Sequence, residues 1–114
     1  MAIIDKPSDY FNTKLYTGNA TDNTAITGVG FQPDFTWIKT RGSVKNHALF
    51  DSIRTATKYL QSNTTIAEGT DATSLKSFDS DGFTLGVGST LAVTNQSGIQ
   101  MASWNWLGAG TAPS

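Results

Sequence analysis

The residues of this chain alternate with a period of two in short runs, and a turn-forming cluster ends each run before it grows long. From Tyr10 to Thr17, Phe11, Thr13 and Leu15 share one face, and Tyr10, Asn12, Lys14 and Tyr16 share the other. Gly18-Asn-Ala-Thr-Asp-Asn23 reads as a turn, followed by a short strand around Ala25 to Val29. Pro33-Asp34 precedes a run in which Phe35, Trp37 and Lys39 share a face. Arg41-Gly-Ser-Val-Lys-Asn46 is a polar loop, and His47 to Ile53 is the next strand. Leu75 to Phe78 and Phe83 to Val87 flank Asp79-Ser80-Asp81-Gly82, a hairpin turn. Ile99 to Leu107 is the last strand, with Ala102, Trp104 and Trp106 on one face. Between them, Ile53, Ala56, Thr57 and Leu60 fit helical spacing, so a short helix near 53–61 is the most helix the chain is expected to hold. Thr55 and Thr57 oppose even that, being stiff at χ1.

About seven or eight such strands predict an all-β protein, an antiparallel β-sandwich or jelly roll. The 114 residues are one domain's length, expected to span 1–107 with a short arm over 1–9 and a linker-like tail over 108–114. Composition agrees. Charged residues are only 15%, while 17 Thr, 11 Ser and 7 Asn supply the polar surface. Thr suits half-buried pleated surfaces; Asn, Ser and Gly serve turns.

The scarcity of ionisable groups bears on function as well. A net charge of −1 with scattered Lys and Arg gives no footprint for nucleic acid. No stretch approaches the ~20 apolar residues of a membrane helix. Met1-Ala-Ile-Ile-Asp-Lys6 lacks a basic region followed by a long apolar run, so no secretory leader is expected. Without cysteine there are neither disulfides nor thiolate metal sites, and no metal or cofactor is expected. Asp79-Ser80-Asp81-Gly82 resembles the start of a calcium loop, but position 90 is Thr where an EF-hand needs Glu. Gly28-Val29-Gly30 and Gly86-Val87-Gly88 lack the third glycine of a dinucleotide loop, since Pro33 and Leu91 stand there. They read as strand ends or bulges. Asn19-Ala-Thr21, Asn63-Thr-Thr65 and Asn95-Gln-Ser97 are glycosylation sequons at close to chance frequency and read as accidents.

No serine sits in a nucleophile elbow, and His47 has no evident catalytic partner. Asp34, Asp51, Glu68 and Asp71 are the carboxylates a glycosidase would draw on, but nothing pairs two of them. The chain is therefore expected not to be an enzyme. Tyr10, Tyr16, Trp37, Tyr59, Trp104 and Trp106 are the substantive feature, as rings that either form a platform for a sugar or pack the core. Phe35, Trp37, Phe83, Trp104 and Trp106 are assigned to the sandwich interior. Tyr10, Tyr16 and Tyr59 are assigned to the surface, as rings that could cover the apolar face of a sugar while neighbouring Asn or Asp bond its hydroxyls.

Taken in order, the segments carry a resemblance. Asp9-Tyr-Phe-Asn-Thr-Lys-Leu-Tyr-Thr-Gly-Asn19 is followed by Ile26-Thr-Gly-Val-Gly-Phe-Gln-Pro-Asp34, Trp37-Ile-Lys39, His47-Ala-Leu-Phe-Asp-Ser52 and Thr57-Lys-Tyr-Leu60. Then come Ser62-Asn-Thr64, Ser77-Phe-Asp-Ser-Asp-Gly-Phe-Thr-Leu-Gly86 and Ala102-Ser-Trp-Asn-Trp106. This ordered set resembles a lectin-like module of virion structural proteins in tailed phages. The departures are Thr55, where such modules often carry Gly, and Leu107, where they often carry Lys. The resemblance implies a concanavalin-like β-sandwich on a phage particle, as a capsid decoration or a tail or fibre appendage. It implies no catalytic residue. The implied partners are other virion proteins or further copies of the chain in a homo-oligomeric assembly, with a host-surface glycan as the alternative.

Overall fold

The alternating runs become strands because neighbouring runs can close each other's backbone hydrogen bonds while one face of each is buried. The computed structural model describes residues 10–62, 64–65, 67–87 and 93–108. The expected arm over 1–9 and all but the first residue of the tail over 108–114 lie outside them. Nine strands run through the described residues: β1 (Phe11–Thr17), β2 (Thr24–Ile26), β3 (Phe35–Thr40), β4 (Ala48–Asp51), β5 (Lys58–Tyr59), β6 (Gly69–Thr70), β7 (Leu75–Asp79), β8 (Gly82–Leu85) and β9 (Gln100–Trp106). None of these residues is helical. The stretch over 53–61, expected to hold at most a short helix, is a run of turns leading into β5.

All pairings are antiparallel. One sheet has the order β1-β9-β3-β4, a second β2-β8-β7, and β5-β6 forms a two-stranded ribbon. The long excursion from β1 to β9 joins the two ends of the described chain in register, Phe11 opposite Trp106 and Thr17 opposite Gln100. The hairpin read at 79–82 is present, with Asp79 opposite Gly82 across a two-residue loop.

The core lies between the two larger sheets. Ile26, Leu75, Phe83 and Leu85 come from the three-stranded sheet. Ile38, Ala48, Phe50 and Met101 come from the four-stranded one, and Tyr59 closes the side. The fold is an all-β sandwich, as expected.

Its polarity is not. On β9, Met101, Ser103 and Asn105 point inward; on β3, Thr36, Ile38 and Thr40 do. The hydroxyl of Thr36 donates to Oδ1 of Asn105 at 3.0 Å, and Nδ2 of Asn105 donates to the Asn12 carbonyl at 3.1 Å. The Ser103 hydroxyl donates to the Lys14 carbonyl at 2.9 Å. A buried polar group is tolerable only when bonded in this way. The four-stranded sheet thus turns a hydrogen-bonded ladder inward and leaves the alternate residues, aromatic in the main, to the outside.

Phe35, Trp37, Trp104 and Trp106 are accordingly not interior residues. They are half-buried on the outer face, and of the five aromatics assigned to the core only Phe83 occupies it. The reason is that a period of two fixes which residues share a face without fixing which face goes in. Here Asn105 and Ser103 find partners inside, and their neighbours Trp104 and Trp106 must then face out.

Candidate binding cleft

Register assembles the outer face row by row. Phe11, Trp106, Phe35 and Asp51 lie across β1, β9, β3 and β4; beside them lie Thr13, Trp104, Trp37 and Leu49. Leu15, Ala102 and Lys39 form the next row. The rings meet at tilted or edge geometries: Phe11 to Trp106 at 4.9 Å between centroids, Phe35 to Trp106 at 5.1 Å, Trp37 to Trp104 at 6.0 Å. Such pairs stabilise the face beyond the area they cover. Between the rows opens a cleft of about 260 Å³ lined by Trp37, His47, Trp104 and Trp106.

The cleft is organised by one bond. Trp37 Nε1 donates to His47 Nδ1 at 2.9 Å. The imidazole must therefore be neutral at Nδ1, with its proton on Nε2. Desolvation holds its proton affinity below the ordinary histidine value, and the nearby Lys39 charge adds to that. His47 is thus a fixed wall of the cleft rather than a cation within it.

The tyrosines fare differently from expectation. Tyr10 is exposed, at the entry to β1. Tyr59 is 4% exposed and belongs to the core, 6.5 Å from the ring of Phe50. Tyr16 packs edge-on against Phe83, its hydroxyl donating to the Thr94 carbonyl at 2.6 Å, and burial pushes that hydroxyl's proton affinity up. Tyr16 and Tyr59 therefore cannot serve as surface platforms, because their partners lie inside.

The carboxylates are engaged in holding the scaffold. Asp34 accepts from the Ser52 hydroxyl at 3.1 Å and the Gly108 amide at 2.6 Å, tying β9's exit to the end of β4. Asp51 receives Arg54 through its guanidinium at 2.6 Å and its amide at 2.8 Å. Burial acts against the charge of Asp51, but the Arg54 contacts outweigh it and the proton affinity falls. Arg54 also reaches Glu68 at 3.6 Å, and Asp71 caps the turn at Thr73 and Ser74. Among the described residues no cluster of three or more His, Cys, Asp or Glu could hold a metal.

The glycine loops have internal uses too. The amides of Gly28 and Gly30, both at positive φ, donate to the carboxylate of Asp81 at 3.0 and 2.7 Å. Gly28-Val29-Gly30 is thus an anion cradle occupied by the protein's own hairpin, and it holds the Asp81 carboxyl below the usual carboxylate range. Gly86 is buried, and its carbonyl accepts from Nδ2 of Asn95 at 2.8 Å; Gly88 lies outside the described residues. Of the sequon asparagines, Asn95 is fully buried, Asn19 bonds it and the 21–24 turn, and Asn63 lies outside the described residues.

Sequence reasoning weighed Trp37, Trp104 and Trp106 as a sugar platform and set them in the interior; what it did not join to them is His47, which lines the same cleft. The signal for the outward indoles was present in the pairing of Trp-x-Trp with Asn105 and Ser103, whose side chains can satisfy each other inside a sheet. Over residues 6–114 the chain matches the model of a domain of unknown function (DUF7483), and it belongs to that family. No curated protein and no solved structure matches it.

Proposed function

We propose that this member of the DUF7483 family is a non-enzymatic, surface-exposed module of a tailed-phage virion, decorating a capsid or forming part of a tail or fibre, and acting by protein–protein contact. The observation that carries the contact reading is the pair of exposed apolar side chains on one face of edge strand β1, Phe11 at 37% and Leu15 at 53% exposed. An edge strand with an apolar margin is a surface that another chain can cover. The phage setting rests on the ordered sequence resemblance described above. The engagement of Asp34, Asp51, Glu68 and Asp71 in structural bonds supports a role without catalysis.

The test is fractionation of purified particles. The chain is expected to co-purify with them, and Leu15→Lys is expected to lower its copy number. Absence from particles that retain neighbouring structural proteins would overturn the proposal.

A second reading, glycan recognition, is favoured by a separate observation. The indole-lined cleft on β3 and β9 is a concave apolar site with polar groups at its margin. The two readings use different parts of one sheet and are compatible.

A further inference from the structure

The stretch of chain that carries Trp37 and His47 holds positive charge that no salt bridge among the described residues accounts for. From Phe35 to Phe50 the chain carries Lys39, Arg41 and Lys45 and no acidic residue, although the whole protein has a net charge of −1. The ion pairs among the described residues are Arg54–Asp51, Arg54–Glu68 and Lys76–Asp22, so none of these three cations takes part in one. Lys39 shares the outward face of β3 with Trp37, two residues on, and stands opposite Ala102 of β9. Its ammonium donates to the Thr40 carbonyl at 3.2 Å and is close enough for its charge to act on His47. Lys39 thus stands one row along the same face from Trp37 and Trp104 of the cleft. On its other flank, Thr13 is exposed opposite Trp104.

We infer that this cleft binds one acidic pyranose residue of the uronic acid type, its ring face against Trp104 and Trp37 and its carboxylate toward Lys39. The inference rests on the second reading above and names its ligand class. A pyranose presents C–H groups, slightly positive, on its broad face, and an indole presents the negative face of its quadrupole. Hydroxyls lie around the ring's equator, where a polar margin such as Thr13 can meet them. A volume of about 260 Å³ suits a single ring, whereas a protein partner needs a contact area of several hundred Å² a side. A carboxylate beside Lys39 forms a charge-assisted bond, stronger than any a neutral hydroxyl offers.

The experiment is a tryptophan fluorescence titration of the full chain with galacturonic acid oligosaccharides, with galactose oligosaccharides of the same length as the neutral reference. A saturable response is expected, at least tenfold tighter for the acidic sugar and weakening as salt rises. Lys39→Gln is expected to remove most of that preference, and Trp104→Ala to abolish binding. Because the alanine variant could disturb the sheet, Trp104→Phe, which keeps a ring, is expected to retain weakened binding. No saturable response to the acidic sugar overturns the inference. So does equal affinity for both sugars, or a preference that survives Lys39→Gln. Particle association is measured separately: a chain that resides in purified virions and ignores both sugars ends this inference and leaves the virion proposal standing.

Discussion

Trp37 and His47 lock each other across the β3–β4 hairpin: the indole N–H of one donates to Nδ1 of the other at 2.9 Å, and their rings lie 5.6 Å apart. The bond requires an unprotonated Nδ1, so cleft geometry and protonation state are one variable.

The first prediction concerns pH. The folded-state pKa of His47 is lowered from 6.5, chiefly by desolvation and then by Lys39. A depressed histidine gives stability that is present above the unfolded value and lost as pH falls through the folded one. His47 is expected to titrate below 6.5 by imidazole proton NMR, with the Trp37 indole N–H signal shifting over the same pH range. A midpoint above 6.5, or an indole signal indifferent to it, would contradict the bond.

Thr55 carries a φ of +82° although it is β-branched and exposed. L-residues of this kind occupy that region only under strain, at a cost on the order of 1–3 kcal/mol. Glycine is free of it but loses more backbone entropy on folding. Thr55→Gly is expected to raise stability by about 1 kcal/mol in urea unfolding, with Thr55→Val no better than wild type.

Asn95 is a buried knot. Its side chain donates to the Gly86 carbonyl at 2.8 Å and to Asn19 Oδ1 at 3.1 Å, and it accepts from the Asn19 amide at 2.9 Å. Removing it strands several of these partners, so Asn95→Ala is expected to cost roughly 2–4 kcal/mol by denaturant unfolding. Asn19→Ala, at the exposed end of the same network, should cost less.

Asp81 gives a prediction at the acid limb. Its carboxyl lies below the usual range because Gly28 and Gly30 donate to the charged form. Its contribution is therefore present above the unfolded value of 3.8 and lost as pH falls through the lower folded value. Asp81→Asn is expected to melt below wild type at neutral pH, with the gap closing as the solution is acidified. A gap that stays constant with pH would show that the charge is not what the loop holds.

How much of this was legible follows from what alternation encodes. β1, β3 and β9 could be placed within a residue or so because their period of two is long and turn signals bound them. The 79–82 hairpin could be read from its Asp and Gly. The orientation of β9 could not, because hydrophobicity alone sends Trp104 and Trp106 inward. It is overruled by hydrogen bonds from Asn105 and Ser103 to strands distant in sequence. Tyr16 and Tyr59 were misplaced for a related reason. A tyrosine's polar tip invites a surface position, but in Tyr16 that tip reaches a carbonyl at Thr94, 78 residues away. Over 53–61 four residues at suitable spacing allow at most a short helix, and the chain there forms turns, with Thr55 at positive φ.

The inverted polarity of the four-stranded sheet has a consequence for substitution. Along β9, even-numbered and odd-numbered positions answer to different masters. Ser103 and Asn105 answer to the core, because substituting them disturbs a buried ladder; Trp104 and Trp106 answer to the outer face, where they meet Phe11, Phe35 and Trp37. The outer face can therefore be reshaped by substitution while the inner residues stay unchanged. One seven-residue strand carries two separable texts, one addressed to the core and one to the outer face.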